Sequence, residues 1–135
     1  MAGYSGTPLA KKLGIKDGGC VFVSSAPPNY RKLLQPLPDG VKMVSRLDES
    51  VDVAHVFTVR RSELKTILRA AVGKIRSDAA IWVSWPKKAS KVPTDVTEDT
   101  IRAIALPMGL VDVKVCAVDE VWSGLKLVIR REHRR

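Results

Sequence analysis

Polar and cationic side chains follow each of three predicted strands. Short apolar runs at residues 20–24, 51–59 and 79–85 predict strands of a mostly parallel sheet. In such a sheet, ligands bind beyond the carboxyl ends of the strands, where the strand order reverses. The side chains that we expect to line this crevice are Ser24, Ser25, Asn29, Tyr30, Thr58, Arg60, Trp85, Lys87 and Lys88.

These residue types favour an anionic ligand. Hydroxyl and amide groups donate hydrogen bonds, lysine and arginine attract negative charge, and Trp85 offers a flat surface for stacking. A purely structural interpretation stays open, in which residues 24–28 form a rigid turn and Trp85 belongs to the core. We therefore expect a non-catalytic domain that binds a small anionic ligand or a protein partner, and we predict no cofactor.

Other reactive residue types give no recognisable catalytic or metal site. Cys116 has Asp119, Glu120 and His133 as candidate helpers, but it lies within a predicted strand, which favours an inert buried thiol. His55 lies among apolar residues and is predicted to be a hydrogen-bonded core histidine. The two cysteines and two histidines are far apart in the sequence and lack metal-ligand spacing. A glycine-rich phosphate-binding loop is absent from the sequence.

Positive charge is spread along the whole chain. The 135 residues include 23 Lys and Arg against 14 Asp and Glu, a formal net charge of +9. Basic residues concentrate at 60–76, at 87–91 and in the tail 130–135, which we expect to be frayed. Such charge favours phosphate-bearing partners. A weak nucleic-acid binder is therefore a further alternative, although the chain has only three Trp, two Tyr and two Phe for base stacking.

The composition is typical of one globular domain spanning residues 1–135. Hydrophobic residues make up 45% and charged residues 27%, which suits a single core. No apolar run approaches the roughly 18 residues of a membrane-spanning helix, and no secretory signal is evident. Two cysteines in apolar runs favour reduced thiols. We expect a cytoplasmic protein without membrane contact, and the sequence leaves its oligomeric state undecided.

Helix signals separate most of the predicted strands. Apolar residues at helical spacing predict the longest helix over residues 62–76. Thr97 is predicted to cap another helix, with Val96 and Ile101 as its hydrophobic staple. A short helix is predicted between Thr7-Pro8 and Gly14. Alternation of helices and strands indicates a three-layer α/β sandwich.

The last two predicted strands form a hairpin. Residues 111–118 and 125–131 are close in sequence, with a predicted turn at 122–124, so they are expected to pair antiparallel. Together with the earlier runs and a second strand predicted over residues 41–47, they predict a six-stranded, mostly parallel sheet in the order 2-1-3-4-6-5 that ends in this hairpin.

Residues 13–19, read as LGIKDGG, precede the first apolar strand, and the hairpin closes the sheet. In both respects the chain resembles the Rossmann-like fold of the S-adenosylmethionine-dependent methyltransferases. This resemblance covers most of the chain in architecture. It implies a methyltransferase-like sheet and, in an active member, S-adenosylmethionine as the cofactor.

Four segments carry a second resemblance. They read GYSGTPLAKKLGI at 3–15, WVSWPKK at 82–88, GLVDVKVCAVDE at 109–120 and WSGL at 122–125. In these segments the chain resembles a family of short bacterial proteins classed as a domain of unknown function. This resemblance spans nearly the whole chain and implies no established activity.

The chain departs from the methyltransferase pattern at three places. Those enzymes carry a glycine-rich loop after the first strand, where residues 24–29 here read SSAPPN. The acidic residue that holds the ribose should end the second strand, where Asp48 lies beside Arg46. One strand–helix unit is missing between residues 47 and 52. A transferase that uses S-adenosylmethionine with an unorthodox loop is therefore the alternative function.

Overall fold

A six-stranded sheet forms the centre of the fold, with the predicted strand order β2-β1-β3-β4-β6-β5. The structure is a computed structural model that describes residues 7–133. Strands β1 to β4 pair parallel, and β6 pairs antiparallel with both β4 and β5. The strands are β1 (Cys20–Ser24), β2 (Lys42–Val44), β3 (Val53–Phe57), β4 (Ala80–Pro86), β5 (Leu110–Ala117) and β6 (Trp122–Ile129).

Helices cover both faces of this sheet. The longest, as predicted, lies between β3 and β4, and another follows β4. The helices are α1 (Leu9–Lys12), α2 (Tyr30–Leu33), α3 (Arg61–Lys74) and α4 (Glu98–Ala105), with short 3₁₀ turns at Lys88–Ser90, Leu106–Met108 and Arg131–His133. Within residues 7–133, no helix combines the length and the apolar character needed to cross a bilayer.

Alternating strand residues divide the core into two clusters. On one face, Val56 and Ile81 pack with Leu64 and Leu68 of α3 and with Ile101 of α4. On the other face, the second cluster contains residues of α1 and α2 and buried side chains from β1, β3 and β4. The period-two alternation of a strand thus places successive side chains in different layers. The predicted three-layer architecture is confirmed.

Residues 45–52 link β2 to β3 without a helix or strand. The two strands lie on either side of β1 and are parallel to it. The link must therefore run from the carboxyl edge of the sheet, where β2 ends, to the amino edge, where β3 begins. Leu47 and Val51 of the link pack in the same cluster as α3. This short crossing replaces the strand–helix unit that the sequence predicts to be missing.

Two local predictions, the hairpin turn and the cap of the first helix, are wrong. The hairpin turn lies at 118–121, because β6 already begins at Trp122. Pro8, with extended backbone, is the N-cap of α1, and Thr7 does not cap it through its side chain. In the tail, Arg130 N–H donates to the carbonyl of Gly109, and a 3₁₀ turn covers Arg131–His133, while the expected fraying stays a prediction. Residues 3–6 and 134–135, also part of predicted segments, lie outside the described residues.

The start of α4 confirms the predicted cap. Thr97 Oγ1 accepts a hydrogen bond from Thr100 N–H at 3.2 Å, and Thr97 N–H donates to Thr100 Oγ1 at 2.7 Å. This reciprocal pair is a capping box in which threonine replaces the usual glutamate. Val96 and Ile101 are both buried in the α3–α4 cluster. The cap and the two apolar residues together fix where the helix begins.

Replacing Thr97 with alanine should lower the free energy of unfolding by about 1 kcal/mol, because the Thr100 N–H loses its acceptor. For a domain of this size the melting temperature should fall by roughly 3–6 °C. Thermal denaturation followed by circular dichroism measures the change. The control is Thr66→Ala, which removes only an exposed hydroxyl bond within α3. Equal losses in the two variants would refute the role of the cap.

Candidate functional site

The loop after β1 makes a sharp turn without glycine. Ser25 has φ of +57°, a left-handed conformation that is uncommon for residues other than glycine. Ser25 and Asn29 are exposed, and Ser24 is half-buried. Their polar groups therefore border solvent at the carboxyl edge of the sheet. The sequence gives no signal for the left-handed Ser25, a conformation that glycine would adopt without steric cost.

Tyr30 leaves this edge and enters the core. Its hydroxyl lies 2.7 Å from Nδ1 of His55, whose Nε2 lies 2.7 Å from Oγ of Ser84. All three side chains are buried, and His55 is completely inaccessible. Tyr30 also packs edge-on against Phe57. The structure thus places Tyr30 in an internal polar network, not in the crevice, and confirms His55 as a hydrogen-bonded core histidine.

Burial determines the protonation of this network. It lowers the pKa of His55 to about 3 and raises the pKa of Tyr30 above its ordinary value. At neutral pH His55 is therefore uncharged, and one ring nitrogen donates while the other accepts. The buried polar groups of Tyr30, His55 and Ser84 thus have hydrogen-bond partners in one another. These bonds hold α2 and the loop before it against β3 and β4.

The loop after β3 presents Arg60 to solvent. Thr58 is buried, and its hydroxyl donates to the Arg60 carbonyl at 3.1 Å. This side chain therefore stabilises the loop that contains it. Asp95 accepts from Arg61 N–H at 2.7 Å, at the first turn of α3, where a negative charge is favourable. Thr94 donates to the carbonyl of Val59 at 2.7 Å. The chain that follows β4 therefore packs over this loop, leaving Arg60 exposed beside it.

The predicted site residues at the end of β4 and in the loop after it have different surroundings. Trp85 is only 8% exposed and belongs to the α3–α4 cluster, so it offers no stacking surface in the crevice. Lys87 donates its Nζ to the carbonyl of Asp119 at 2.7 Å, which ties this loop to the β5–β6 turn. Lys88 is exposed. Of the two lysines predicted for the site, Lys88 is thus exposed, whereas Lys87 is held by this hydrogen bond.

No acidic side chain follows directly at the end of β2. The strand ends at Val44 and continues with the exposed residues Ser45 and Arg46. Asp48 lies further along the crossing link, where it accepts hydrogen bonds from the hydroxyl and the N–H of Ser50. These bonds hold the pKa of Asp48 below its ordinary value. Asp48 is therefore not at the strand end where the methyltransferase pattern needs it.

The groups that remain at the carboxyl edge are polar or cationic. Because β2, β1, β3 and β4 are parallel neighbours in that order, the loops that follow them emerge along one edge. The exposed or half-buried side chains there include Ser24, Ser25, Asn29, Arg46, Arg60 and Lys88, while the carboxylate of Asp95 is paired with Arg61. In residues 7–133, no three His, Cys, Asp or Glu side chains converge on a metal-sized site. This edge can donate hydrogen bonds and neutralise negative charge.

The surroundings of Cys116 do not activate its thiol. It is a free, half-buried cysteine, and burial raises the pKa of its thiol more than nearby Lys12 and Lys114 lower it. Asp119 uses its carboxylate to accept from the N–H groups of Val121 and Trp122, both at 2.8 Å. The acid beside the thiol in sequence therefore shapes the hairpin turn.

Solved structures of similar fold include methyltransferases. A protein assigned as a type 11 methyltransferase from Sulfolobus solfataricus superposes with a TM-score of 0.67 at 14% identity, covering 94% of this chain and 92% of that one. A SAM-dependent methyltransferase from Aquifex aeolicus gives 0.64 at 14% identity, covering 90% and 87%. LepI in complex with SAM gives 0.55 at 12% identity, covering 90% and 39%. The chain has a methyltransferase-like fold.

Comparison by sequence adds no family. No known protein family matches the chain, and no curated protein is similar to it. The resemblance to bacterial proteins of unknown function therefore stays a prediction.

Proposed function

We propose that the chain binds S-adenosylmethionine at the carboxyl edge of its sheet and acts as a small-molecule transferase. The observation that carries this proposal is the polar edge formed by Ser24, Ser25, Asn29 and Arg60, at the point where the strand order of a methyltransferase-like sheet reverses. The fold likeness to methyltransferases of nearly the same length supports it.

The residues at this edge fit the amino-acid end of S-adenosylmethionine. Its carboxylate is anionic, and Arg60 and Lys88 are exposed cations at the same edge. The hydroxyls of Ser24 and Ser25 and the amide of Asn29 would donate hydrogen bonds to it. When bound, this cofactor supplies a methyl group activated by a positively charged sulfur. The proposed role of the chain is to bind and orient it.

Replacing Arg60 with glutamine should weaken binding of S-adenosylmethionine about tenfold, because a charge-assisted hydrogen bond to the carboxylate contributes roughly 1.5–3 kcal/mol. Isothermal titration calorimetry with S-adenosylmethionine and S-adenosylhomocysteine measures the affinity. The control is Arg69→Gln, which makes the same change of charge at an exposed position two turns further along α3.

Two results would refute this proposal. One is the absence of heat and of any rise in melting temperature at millimolar S-adenosylmethionine, since saturating ligand should stabilise the fold. The other is an equal loss of affinity in the Arg60 and Arg69 variants, since long-range charge would then explain the binding.

A non-catalytic anion-binding domain is the second candidate. Arg46 is exposed after β2, where a carboxylate would be needed to accept the ribose hydroxyls of the cofactor. A cation at this place suits a carboxylate or phosphate better than a neutral diol. Under this alternative, a small dicarboxylate or phosphate would bind at the carboxyl edge, S-adenosylmethionine would not, and Arg46→Gln would weaken the anion as much as Arg60→Gln.

A further inference from the structure

The opposite, amino edge of the sheet contains a second concave surface. A cavity of about 470 Å³ lies between the loop 13–19 and the first residues of β1, β3 and β4. Lys126 of β6 contributes to its wall. Cavities of this size commonly hold small ligands or cofactors. None of the residues assigned to the carboxyl edge belongs to this cavity.

Two lysines face each other at the side of this cavity. Lys114 of β5 and Lys126 of β6 are direct cross-strand partners, so their side chains project from the same face of the hairpin. Like charges placed directly opposite each other destabilise a sheet. Within residues 7–133, neither lysine takes part in a salt bridge. Burial and the charge of Lys114 lower the pKa of Lys126 from its ordinary value.

The acidic side chains of the cavity already have partners. Asp52 and Asp78 both bind Arg76, at 2.6 and 3.0 Å. Asp52 also accepts from the N–H of Cys20 at 2.8 Å, and Asp17 accepts from the N–H of Asp39 at 3.1 Å. Within residues 7–133, none of these carboxylates forms an ion pair with Lys114 or Lys126. A ligand that brings negative charge would remove the repulsion.

We propose that Lys114 and Lys126 bind the phosphate groups of a small phosphorylated molecule whose remaining part enters the adjoining cavity. The site is separate from the carboxyl edge and does not depend on methyl transfer. Lysine ammonium groups bind phosphate as compact point charges, and two of them suit a pyrophosphate. We favour a small ligand over nucleic acid because Lys126 is half-buried and borders a cavity, not an extended groove.

Thermal denaturation with sodium pyrophosphate, ATP or sulfate at matched ionic strength tests this site. Pyrophosphate or ATP should raise the melting temperature of the unmodified chain, and sulfate should not match that rise. Lys126→Gln and Lys114→Gln should each weaken the binding, measured by calorimetry, at least about tenfold. Lys65→Gln, an equal change of charge on the exposed face of α3, should leave it intact.

Lys114→Glu gives a second, opposite readout. In ligand-free protein it should raise the melting temperature, because an ion pair replaces the repulsion, yet it should abolish the response to pyrophosphate. The proposal is overturned if neither pyrophosphate nor ATP binds, if sulfate stabilises equally, or if Lys65→Gln loses as much affinity. Retention of nucleic acid without binding of pyrophosphate or ATP would also overturn it, in favour of a nucleic-acid surface.

Discussion

Lowering the pH from 7 to 4 should reduce the free energy of unfolding by about 3 kcal/mol through His55 alone. The pKa of His55 is about 3 in the fold and rises to its ordinary value of 6.5 when the chain unfolds. Between these values the unfolded chain binds the proton and the folded chain does not. Stability is therefore fully present above about pH 6.5 and is lost progressively as the pH falls towards 3.

Urea denaturation at several pH values measures this slope. Asp48, Asp52 and Asp112 also have lowered pKa values, but their stabilising effect is lost only below their ordinary value of 3.8. Between pH 4 and 7 these three carboxylates therefore contribute little to the slope. A flat profile across that window would contradict the buried neutral imidazole.

Substitutions in the network of Tyr30, His55 and Ser84 give the matched control for the pH effect. His55→Phe alone should destabilise the fold at pH 7, because the buried Tyr30 and Ser84 hydroxyls lose their partner, at roughly 1–3 kcal/mol each. Adding Tyr30→Phe and Ser84→Ala should recover much of that loss, whereas the pH dependence should already be absent in His55→Phe, which lacks the titrating imidazole. If the three substitutions were simply additive, the hydrogen-bonded network would be refuted.

Replacing Trp82 with alanine should cost about 3–5 kcal/mol and lower the melting temperature by roughly 10–20 °C. Trp82 is completely buried, and its indole N–H donates to the carbonyl of Leu13 at 3.1 Å. Its ring also packs on Gly124, where an added Cβ would lie 3.3 Å from Cε3. The substitution therefore opens a cavity and releases the segment after α1 from the sheet.

Chemical denaturation of two further variants separates these contributions. Trp82→Phe keeps most of the ring and should cost less than Trp82→Ala, whereas Trp122→Ala removes a half-buried tryptophan and should cost the least. Gly124→Ala should destabilise by roughly 1–3 kcal/mol, since its Cβ presses on Trp82, Cys116 and Val118. Equal costs for Trp82→Ala and Trp122→Ala would contradict the packing described here.

The sheet could be predicted from the sequence because its strands are short apolar runs separated by clear helix signals. Thr97, for example, marks the start of α4 by its own side chain. The turn of the last hairpin was misplaced because Ser123-Gly124 is a dipeptide typical of turns, although Trp122 favours a strand. It is Asp119, accepting two backbone N–H groups, that fixes the turn three residues earlier.

The candidate site was harder to predict than the fold. Parallel strands with polar residues at their ends correctly indicate which edge collects Ser24, Ser25, Asn29 and Arg60. The sequence does not show that the side chains of Tyr30 and Trp85 point into the core. Tyr30 is held there by its hydrogen bond to His55, and Trp85 by packing in the cluster that contains α3. Likewise, the opposition of Lys114 and Lys126 depends on strand register, which a single sequence does not specify.

The most direct test of the carboxyl-edge site is two-dimensional NMR of the labelled chain titrated with S-adenosylmethionine. We expect the amide signals of residues 24–29 and 58–60 to shift together and to saturate, while those of the cavity loop 13–19 stay unchanged. The absence of any shift at millimolar concentration, or shifts confined to residues 13–19 and Lys126, would contradict the assignment of the ligand site to this edge.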